Sequence, residues 1–459
     1  MASPVHMDLA GKSVLVVGLG LSGVGVARFC AERRARVTVN DIRTADALGG
    51  ALSQLPGSVQ TVLGDHPEPL FTGADLIVIS PGVPSLPALE AARAAGVPIL
   101  GEIELAVRHL FGELIAVTGT NGKSTTTSWI GEMLAGLGRP LFVGGNLGVP
   151  LIEAAATDAA GPEGVAVAEV SSFQLETCDT LRPKVALLLN LAEDHLDRYD
   201  TMAQYAQTKA RIFAAQTDGD WAVVNGDQPG CADLTASMRA RVLRFSVTRP
   251  VDHGACLSGD DIALRIPGQP EVILATAAIR LVGRHNLENA MAAALAASVV
   301  GASSDQIQAA LDTFGGLPHR MQLVGEQSGV RFYNDSKATN VSAVAGSLSG
   351  FPGPYVLVAG GRHKGSPYTP LRAVLANRAR GLVLLGEAAD LLAADLAGVA
   401  PIHRAGSLDE AVRMAADLAE PGEAVVLSPA CSSYDMFTNF EKRGEAFAAA
   451  VAHLGGETP

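Results

Sequence analysis

The sequence is short of the features that mark several protein classes. Its 459 residues include only five cysteines, Cys30, Cys178, Cys231, Cys256 and Cys431, scattered and with no C-x-x-C pair. An odd, dispersed set speaks against a disulfide frame or a zinc site and fits free thiols in a reducing compartment. Positive charge is in deficit: 34 Lys and Arg against 47 Asp and Glu leave a formal net charge of -13. A nucleic-acid binder would show a basic stripe, so no nucleic-acid partner is expected. No apolar run is long enough to span a bilayer, and residues 1–12 hold no apolar core of the signal-peptide kind. These absences predict a soluble, cytoplasmic chain without membrane insertion. Short-period repeats and low-complexity segments are missing as well.

What remains is an ordinary globular balance, with 48% hydrophobic and 18% charged residues and 50 glycines that suggest many tight turns. A chain of this length allows about three domains. Its most informative stretch is Thr118-Gly119-Thr120-Asn121-Gly122-Lys123-Ser124-Thr125, between an apolar run at 114–117 and a helix-like run at 126–134. Strand, glycine loop, Lys-Ser and helix together make a phosphate cradle: loop N–H groups and the helix N-terminus face anionic oxygens. Lys123 would reach the β- and γ-phosphates, and the Ser124 hydroxyl would sit where a phosphate-bound Mg2+ needs an oxygen. The usual pattern G-x-x-x-x-G-K-[ST] requires a glycine where this chain has Val117, so the loop is shorter than standard. Global acidity is no obstacle, because such a loop works through local N–H groups.

A second glycine stretch, Gly18-Leu19-Gly20-Leu21-Ser22-Gly23, follows an apolar strand at 13–17 and opens a helix pattern through Arg34. The next strand, 37–41, ends in Asp41, 18 residues beyond Gly23. Taken alone, this dinucleotide-fold fingerprint suits NAD or FAD as well as another phosphate ligand. Further strands are predicted at 76–80, 97–100, 164–170, 185–190 and 221–225, with a helix at 202–214 carrying Lys209 and Arg211. A β-rich stretch follows at 242–281, then helices at 285–299 and 304–313. Gly315-Gly316-Leu317-Pro318 is the best linker candidate. Beyond it the alternation restarts, with strands at 330–333, 355–359, 381–385 and 424–427.

Polar groups gather at the predicted strand ends, where open parallel sheets bind ligands. Glu169, Asn190 and the segment Glu193-Asp194-His195 should face the phosphate loop. Mg2+ prefers oxygen, so the carboxylate is the safer ligand and His195 an unusual one. Asn286 and Asn289 share a helix face, where amides can pair with a base edge, a backbone or a helix cap. Arg320, Asp335, Lys337 and Lys364 fall in loops, as does the run Ser428-Pro429-Ala430-Cys431-Ser432-Ser433-Tyr434-Asp435.

Together these motifs resemble the Mur ligases, ATP-dependent amide-forming enzymes of peptidoglycan synthesis. The resemblance covers nearly the whole chain. It rests on 18–23, 118–125, Gly144-Gly145-Asn146-Leu147-Gly148, Glu169-Val170-Ser171-Ser172-Phe173-Gln174-Leu175-Glu176, 193–199, Leu317-Pro318-His319-Arg320, 334–340 and 428–443. The segments at 171–176, 334–340 and 428–435 resemble the D-glutamate-adding branch. The resemblance implies an α/β fold of three domains: a Rossmann-like UDP-binding domain (1–101), a central P-loop ATPase domain with a mostly parallel sheet (102–316), and a C-terminal Rossmann-like domain (317–459). The implied partners are UDP-N-acetylmuramoyl-L-alanine, D-glutamate and ATP, with two Mg2+ ions (Mn2+ as a substitute) and a monomeric chain.

Site residues follow from the same resemblance. Leu19, Ser22, Gly23, Ile42, Arg43, Ser80 and Gly82 are implied for the UDP end, which turns the fingerprint away from NAD. Gly119, Thr120, Asn121, Gly122, Lys123, Ser124 and Thr125 are implied for the ATP phosphates, and Asn146 for the substrate or phosphate region. Asn286, Asn289, Arg320 and Asp335 are expected around adenine, phosphates and ribose. One Mg2+ is implied at Ser124 and Glu169, the other at His195 and a carbamylated Lys209, whose carbamate supplies the oxygen that a plain lysine cannot. Lys123, Glu169, His195 and Lys209 are the implied catalytic set. Thr339, Lys364, Ser433 and the Phe440 backbone are expected to hold the two carboxylates of D-glutamate.

Overall fold

The computed structural model describes residues 7–194, 198–281 and 283–454. Three sheets organise them. The first contains β1 (Ser13–Val17), β2 (Arg36–Asp41), β3 (Gln60–Leu63), β4 (Leu76–Ile79) and β5 (Ile99–Gly101), all parallel, in the order β3-β2-β1-β4-β5. The second contains β6 (Glu113–Thr118), β7 (Leu141–Gly145), β8 (Val165–Glu169), β9 (Val185–Leu188), β10 (Trp221–Asn225), β11 (Arg241–Ser246), β12 (Gly254–Ser258), β13 (Asp261–Arg265) and β14 (Val272–Leu274). Its order is β14-β13-β12-β11-β10-β9-β6-β8-β7, with every pair parallel except β12–β13 and β13–β14. The third contains β15 (Gln322–Gln327), β16 (Val330–Asn334), β17 (Tyr355–Gly360), β18 (Ala379–Leu385), β19 (Ile402–Arg404) and β20 (Ala424–Leu427) in the order β15-β16-β20-β17-β18-β19. Only β15 is antiparallel there. Strands buried on both faces read as unbroken apolar runs, which is why β1, β4, β6, β9 and β20 are visible in the sequence.

The chain divides into two compact units. The first runs to Asn190 and takes in Tyr205–Ala277 and Glu288–Leu311; the second holds Leu191–Gln204, Ala278–Leu287 and the chain from Asp312 onward. The first unit therefore carries two sheets, and the helix Glu102–Val107 joins them. Glu104, fully buried, accepts from the N–H groups of Asp179 and Thr180 at 2.9 Å each and from the Thr180 hydroxyl at 2.6 Å. Arg108 pairs with the same carboxylate at 2.8 Å. A carboxylate met by that many donors is a firm anchor, because losing any one leaves a charge dry.

Glu102, two residues earlier, is in a different position. Its Oε1 accepts from Ile152 N–H at 2.7 Å, while Oε2 reaches no partner among the described residues. Burial pushes this carboxyl up from the ordinary 4.5 to about 7, with the nearby Glu153 adding to the rise and the Leu151 and Ile152 N–H groups opposing it. Between those two values the folded chain keeps a proton that the unfolded chain has released. The stabilisation is thus fully present below pH 4.5 and lost as pH rises through about 7. Glu102→Gln removes the titration. Its melting temperature should match the parent near pH 5 and exceed it by several degrees near pH 8, on the order of 2 kcal/mol. Parallel pH profiles of parent and variant in scanning calorimetry would contradict this.

The elements differ from the sequence reading in a few places. The helix predicted over 202–214 runs Met202–Ala210 and tightens into a 3-10 turn at Arg211–Phe213, a common way for a helix to end. β15, β3 and β19 lack clear apolar alternation and form because a neighbouring strand offers its edge.

Candidate functional site

In the first sheet the strand order reverses between β1 and β4, the place where such sheets bind ligands. Gly18 takes φ +89, and a side chain on Gly23 would come within 2.0 Å of Gly18 O, so both glycines are required for the turn. Ser80, following β4, donates to Gly18 O at 2.9 Å and ties the two loops together. Asp41 accepts from Leu19 N–H at 2.7 Å and from Arg43 through Nε at 2.9 Å and Nη2 at 2.7 Å. Burial opposes its ionisation, but the Arg43 guanidinium and these N–H groups hold the carboxyl down at about 2. The acid that would meet an NAD ribose is thus engaged inside the loop. Ile42 stands 59% exposed beside it, Ser22 lies at the start of the helix Leu21–Glu32, and Gly82 sits in the turn after β4.

The second sheet reverses around β6, which lies between β9 and β8. Val117 is fully buried inside β6, so the glycine loop starts only at Gly119. Asn190 fastens that loop: its Oδ1 accepts from Asn121 N–H at 2.8 Å, and its Nδ2 donates to Asn121 O at 3.0 Å. Thr120 N–H donates to Asn190 O at 3.0 Å. Gly122 caps the helix Lys123–Leu134 with φ +84, and a Cβ there would lie 2.3 Å from Asn289 Oδ1. Lys123 Nζ donates to Gly119 O at 2.9 Å and Thr120 O at 2.8 Å, which aims the ammonium over the loop. Ser124 and Thr125 are buried in the first helical turn. Trp129 Nε1 donates to Ala310 O at 3.1 Å and fixes that helix against Ser304–Thr313.

Around the loop stand the predicted polar groups of the same unit. Glu169, at the end of β8, is only 2% exposed, so it is not a solvated surface acid. Its Oε1 accepts from Asn146 Nδ2 at 2.8 Å, and Gly145 beside it leaves no room for a side chain. Lys209, 1% exposed, donates to Gly119 O at 2.9 Å and lies 4.6 Å from the Tyr205 ring centroid. A buried carboxylate and a hydroxyl beside a phosphate cradle fit one Mg2+, which takes its remaining ligands from phosphate and water. Lys209 as an amine offers no oxygen; only its carbamate would fit a second ion. His195 lies outside the described residues. Among those described, no three His, Cys, Asp or Glu side chains form a ready metal cage.

In the second unit Asp335, Lys364 and Ser433 follow the carboxyl ends of β16, β17 and β20, while Asn286 and Arg320 lie elsewhere in its chain. Asp335 is buried and accepts from Ser428 Oγ at 2.8 Å. Burial pushes its carboxyl up to about 6, against the pull of Ser428, Ser347 and Arg320. Asn286 opens the helix Arg284–Val300, its N–H donating to Gly283 O at 3.0 Å. Lys364 Nζ lies 2.8 Å from Asp194 Oδ1. Asn340 Nδ2 donates to Asp194 Oδ2 at 3.1 Å, while Asn340 Oδ1 caps the helix Val341–Ser349. Thr339 is half-buried and Ser433 buried. The Phe440 carbonyl accepts from Ser336 Oγ at 2.9 Å, and Lys337 Nζ lies 3.8 Å from the Phe440 ring centroid.

The sequence reading set both Asn190 and Asp194 facing the phosphate loop; Asn190 does meet it, while the partners of Asp194 are Lys364 and Asn340. It gave no role to Asn340, Tyr368 or Arg443. Asn340 lay inside a motif it had singled out, and that was the available signal. Tyr368 and Arg443 carry none beyond their residue type.

Family models match along the chain in three consecutive pieces: the Mur ligase MurD-like N-terminal domain over 12–101, the Mur ligase middle domain over 117–297, and the Mur ligase glutamate ligase domain over 319–431. The UDP-N-acetylmuramoylalanine–D-glutamate ligase of Geobacter metallireducens is 47% identical over 458 residues, covering 99% of this chain and 100% of the relative. The chain belongs to the Mur ligase family. The corresponding enzyme of Geotalea uraniireducens is 46% identical over 98% of this chain and 99% of its own. Among solved structures, the UDP-N-acetylmuramate–alanine ligase of Thermotoga maritima shares the fold with TM-score 0.63 at 18% identity, covering 97% of this chain and all of that one. Another Mur ligase of T. maritima, solved with ADP, has TM-score 0.59 at 18% identity over 97% of this chain and 96% of its own. As a Mur ligase, the chain is an ATP-dependent enzyme of three α/β domains, and the dehydrogenase suggested by residues 13–41 alone is set aside. Among the described residues no helix is long and apolar enough to cross a membrane.

Proposed function

We propose that this Mur ligase joins D-glutamate to the L-alanine carboxylate of UDP-N-acetylmuramoyl-L-alanine, with release of ADP and phosphate, in peptidoglycan precursor synthesis. It works in the cytoplasm as a monomer. The observation that carries the reading is the near-full-length identity to relatives named for that reaction, on a chain with an intact phosphate loop. The domain limits are 1–101 for the UDP end, 102–316 for ATP and 317–459 for the amino acid.

The chemistry needs no protein nucleophile. The alanine carboxylate attacks the γ-phosphate, giving an acyl phosphate and ADP. The D-glutamate amine then attacks the acyl carbon, and phosphate leaves from the tetrahedral intermediate. The protein neutralises charge and aligns reactants. Lys123 and the amides of 119–125 hold the phosphates, with Asn146 close by. Asn286, Asn289, Arg320 and Asp335 orient the nucleotide. Leu19, Ser22, Gly23, Ile42, Arg43, Ser80 and Gly82 hold the UDP end. Thr339, Lys364, Ser433 and the Phe440 backbone receive D-glutamate. Ser124 with Glu169, and His195 with carbamylated Lys209, would hold two Mg2+ ions, whose charge screens the phosphoryl oxygens.

Phosphate release across a panel of amino acids, with the UDP-linked alanine substrate present, tests the assignment. Turnover should require D-glutamate; robust turnover with L-alanine and none with D-glutamate would overturn it. Lys209→Ala should lose most activity, about 100-fold or more, and formate or acetate should restore part of it by filling the place of the carbamate. A fully active Lys209→Ala would remove the carbamate from the account.

A further inference from the structure

The loop 361–365 that carries Lys364 is fastened to the loop 428–433 that carries Ser433 in two ways. One is backbone: Arg362 and Ser432 exchange N–H···O bonds of 2.9 and 3.1 Å, and Gly361 lies so close that a side chain there would meet Ser432 O at 2.2 Å. The other is a chain of side chains. The Tyr368 hydroxyl lies 2.9 Å from His363 Nδ1 and 3.1 Å from Cys431 Sγ. His363 directly precedes Lys364, and Cys431 comes two residues before Ser433.

The tyrosine is held from behind. Its N–H donates to Asp395 Oδ2 at 2.7 Å, and its ring is buried in the core that packs under β17 and β18. Burial pushes the Cys431 thiol up to about 11 and raises the Tyr368 phenol as well, so both keep their protons. Two protons then serve two contacts whichever way the chain runs. Either S–H donates to the phenol oxygen and O–H to His363 Nδ1, or Nδ1–H donates to the phenol oxygen and O–H to Sγ. The backbone bridge alone fixes one point of the Lys364 loop. The phenol adds a second, on the residue next to the lysine, and so restricts where the lysine stem can start.

We propose that the Tyr368 hydroxyl is a positioning residue for the amino-acid substrate: by bridging His363 to Cys431 it sets the separation between Lys364 and Ser433. The inference rests on the reading that these two side chains receive the carboxylates of D-glutamate. A dicarboxylate must meet both groups at once, so a loosened spacing weakens its binding while leaving the phosphate loop untouched.

The test is steady-state kinetics of the full-length enzyme, varying each substrate in turn. Tyr368→Phe keeps the buried ring and deletes only the bridge. It should raise KM for D-glutamate about five- to tenfold, with kcat within about twofold and the KM values for ATP and the UDP-linked substrate unchanged. His363→Ala, at a half-exposed position, should give a smaller rise in the same KM. Cys431→Ser, which still donates and accepts, should stay near the parent. An unchanged D-glutamate KM in both Tyr368→Phe and His363→Ala would overturn the proposal, as would a parallel rise in all three KM values. Lys364→Ala serves as the reference. If it raises the D-glutamate KM while the bridge variants do not, the positioning role fails and the functional reading stands. If the parent enzyme does not use D-glutamate, both fall together.

Discussion

Replacing Lys123 with alanine should lower turnover by about 1,000-fold or more, equivalent to at least ~4 kcal/mol of lost transition-state stabilisation. The ammonium is held by Gly119 O and Thr120 O, two carbonyls of the loop, while the Thr120 and Asn121 N–H groups donate to Asn190. On the proposed reading the ammonium sets a full positive charge against the ATP phosphates, beside the partial charge of the helix N-terminus that begins at Lys123. Charge moves onto the β–γ bridging oxygen as the phosphoryl group transfers, so the deleted interaction is stronger in the transition state than in the ground state. The loss should appear in kcat, with a modest change in the KM for ATP. Lys123→Arg should recover little, since a planar guanidinium cannot occupy a position shaped for a point charge on a flexible stem. Folding should be unaffected, because the side chain is only half-buried and leaves no cavity. An alanine variant keeping a tenth of parental phosphate release would remove Lys123 from the chemistry.

The second large effect is structural. Arg443 is 2% exposed, and among the described residues its partners are hydroxyl and carbonyl oxygens. Nε and Nη2 donate to Ser336 Oγ and O at 2.9 and 2.8 Å; both Nη groups lie 3.2 Å from Cys431 O, and Nη1 reaches Ser432 O at 3.3 Å. Burial lowers its basicity to about 10, yet it stays charged at neutral pH. One guanidinium therefore ties the loops after β16 and β20 together through their backbone carbonyls. Arg443→Met fills the volume and leaves Ser336 O and Cys431 O without the donor that meets them. We expect a loss of about 3–5 kcal/mol, read as a fall in melting temperature of roughly 10 °C. Arg443→Lys should recover only part, because an ammonium has three donors where the fork supplies five. A methionine variant melting with the parent would show that the loops close without the cation.

These two arginine and lysine positions mark the limit of what the sequence discloses. The phosphate loop was legible because all its parts are neighbours: an apolar strand, two glycines that permit left-handed turns, and a lysine at the start of a helix. The first sheet was legible for the same reason, and the engagement of Asp41 by Arg43 spans only two residues. Even the shortened loop could be read directly, with Val117 inside the strand. Arg443 and Ser336, by contrast, are 107 residues apart, and Lys364 and Asp194 are 170. No local periodicity encodes such pairs; they exist only once the sheet has brought its strand ends together. β15 escaped for a related reason. Its residues Gln322–Gln327 are mostly half-exposed and polar, and the antiparallel pairing with β16, not its own pattern, makes it a strand.

The ion pair of Asp194 with Lys364 bears on how this protein can be cut and recombined. The obvious place to divide the chain is the glycine-proline linker at 315–318, since everything after it forms one sheet. Yet the second compact unit also holds Leu191–Gln204 and Ala278–Leu287, and the first of these segments brings Asp194 to Lys364 and Asn340. A chimera joined at the linker would inherit the lysine and the asparagine from one parent and their carboxylate from the other. A fragment starting at the linker would leave an ammonium and a helix-capping amide without the group that meets them. The portable piece is discontinuous in sequence, and a graft intended to change the amino acid should carry residues 191–204 along with everything after the linker.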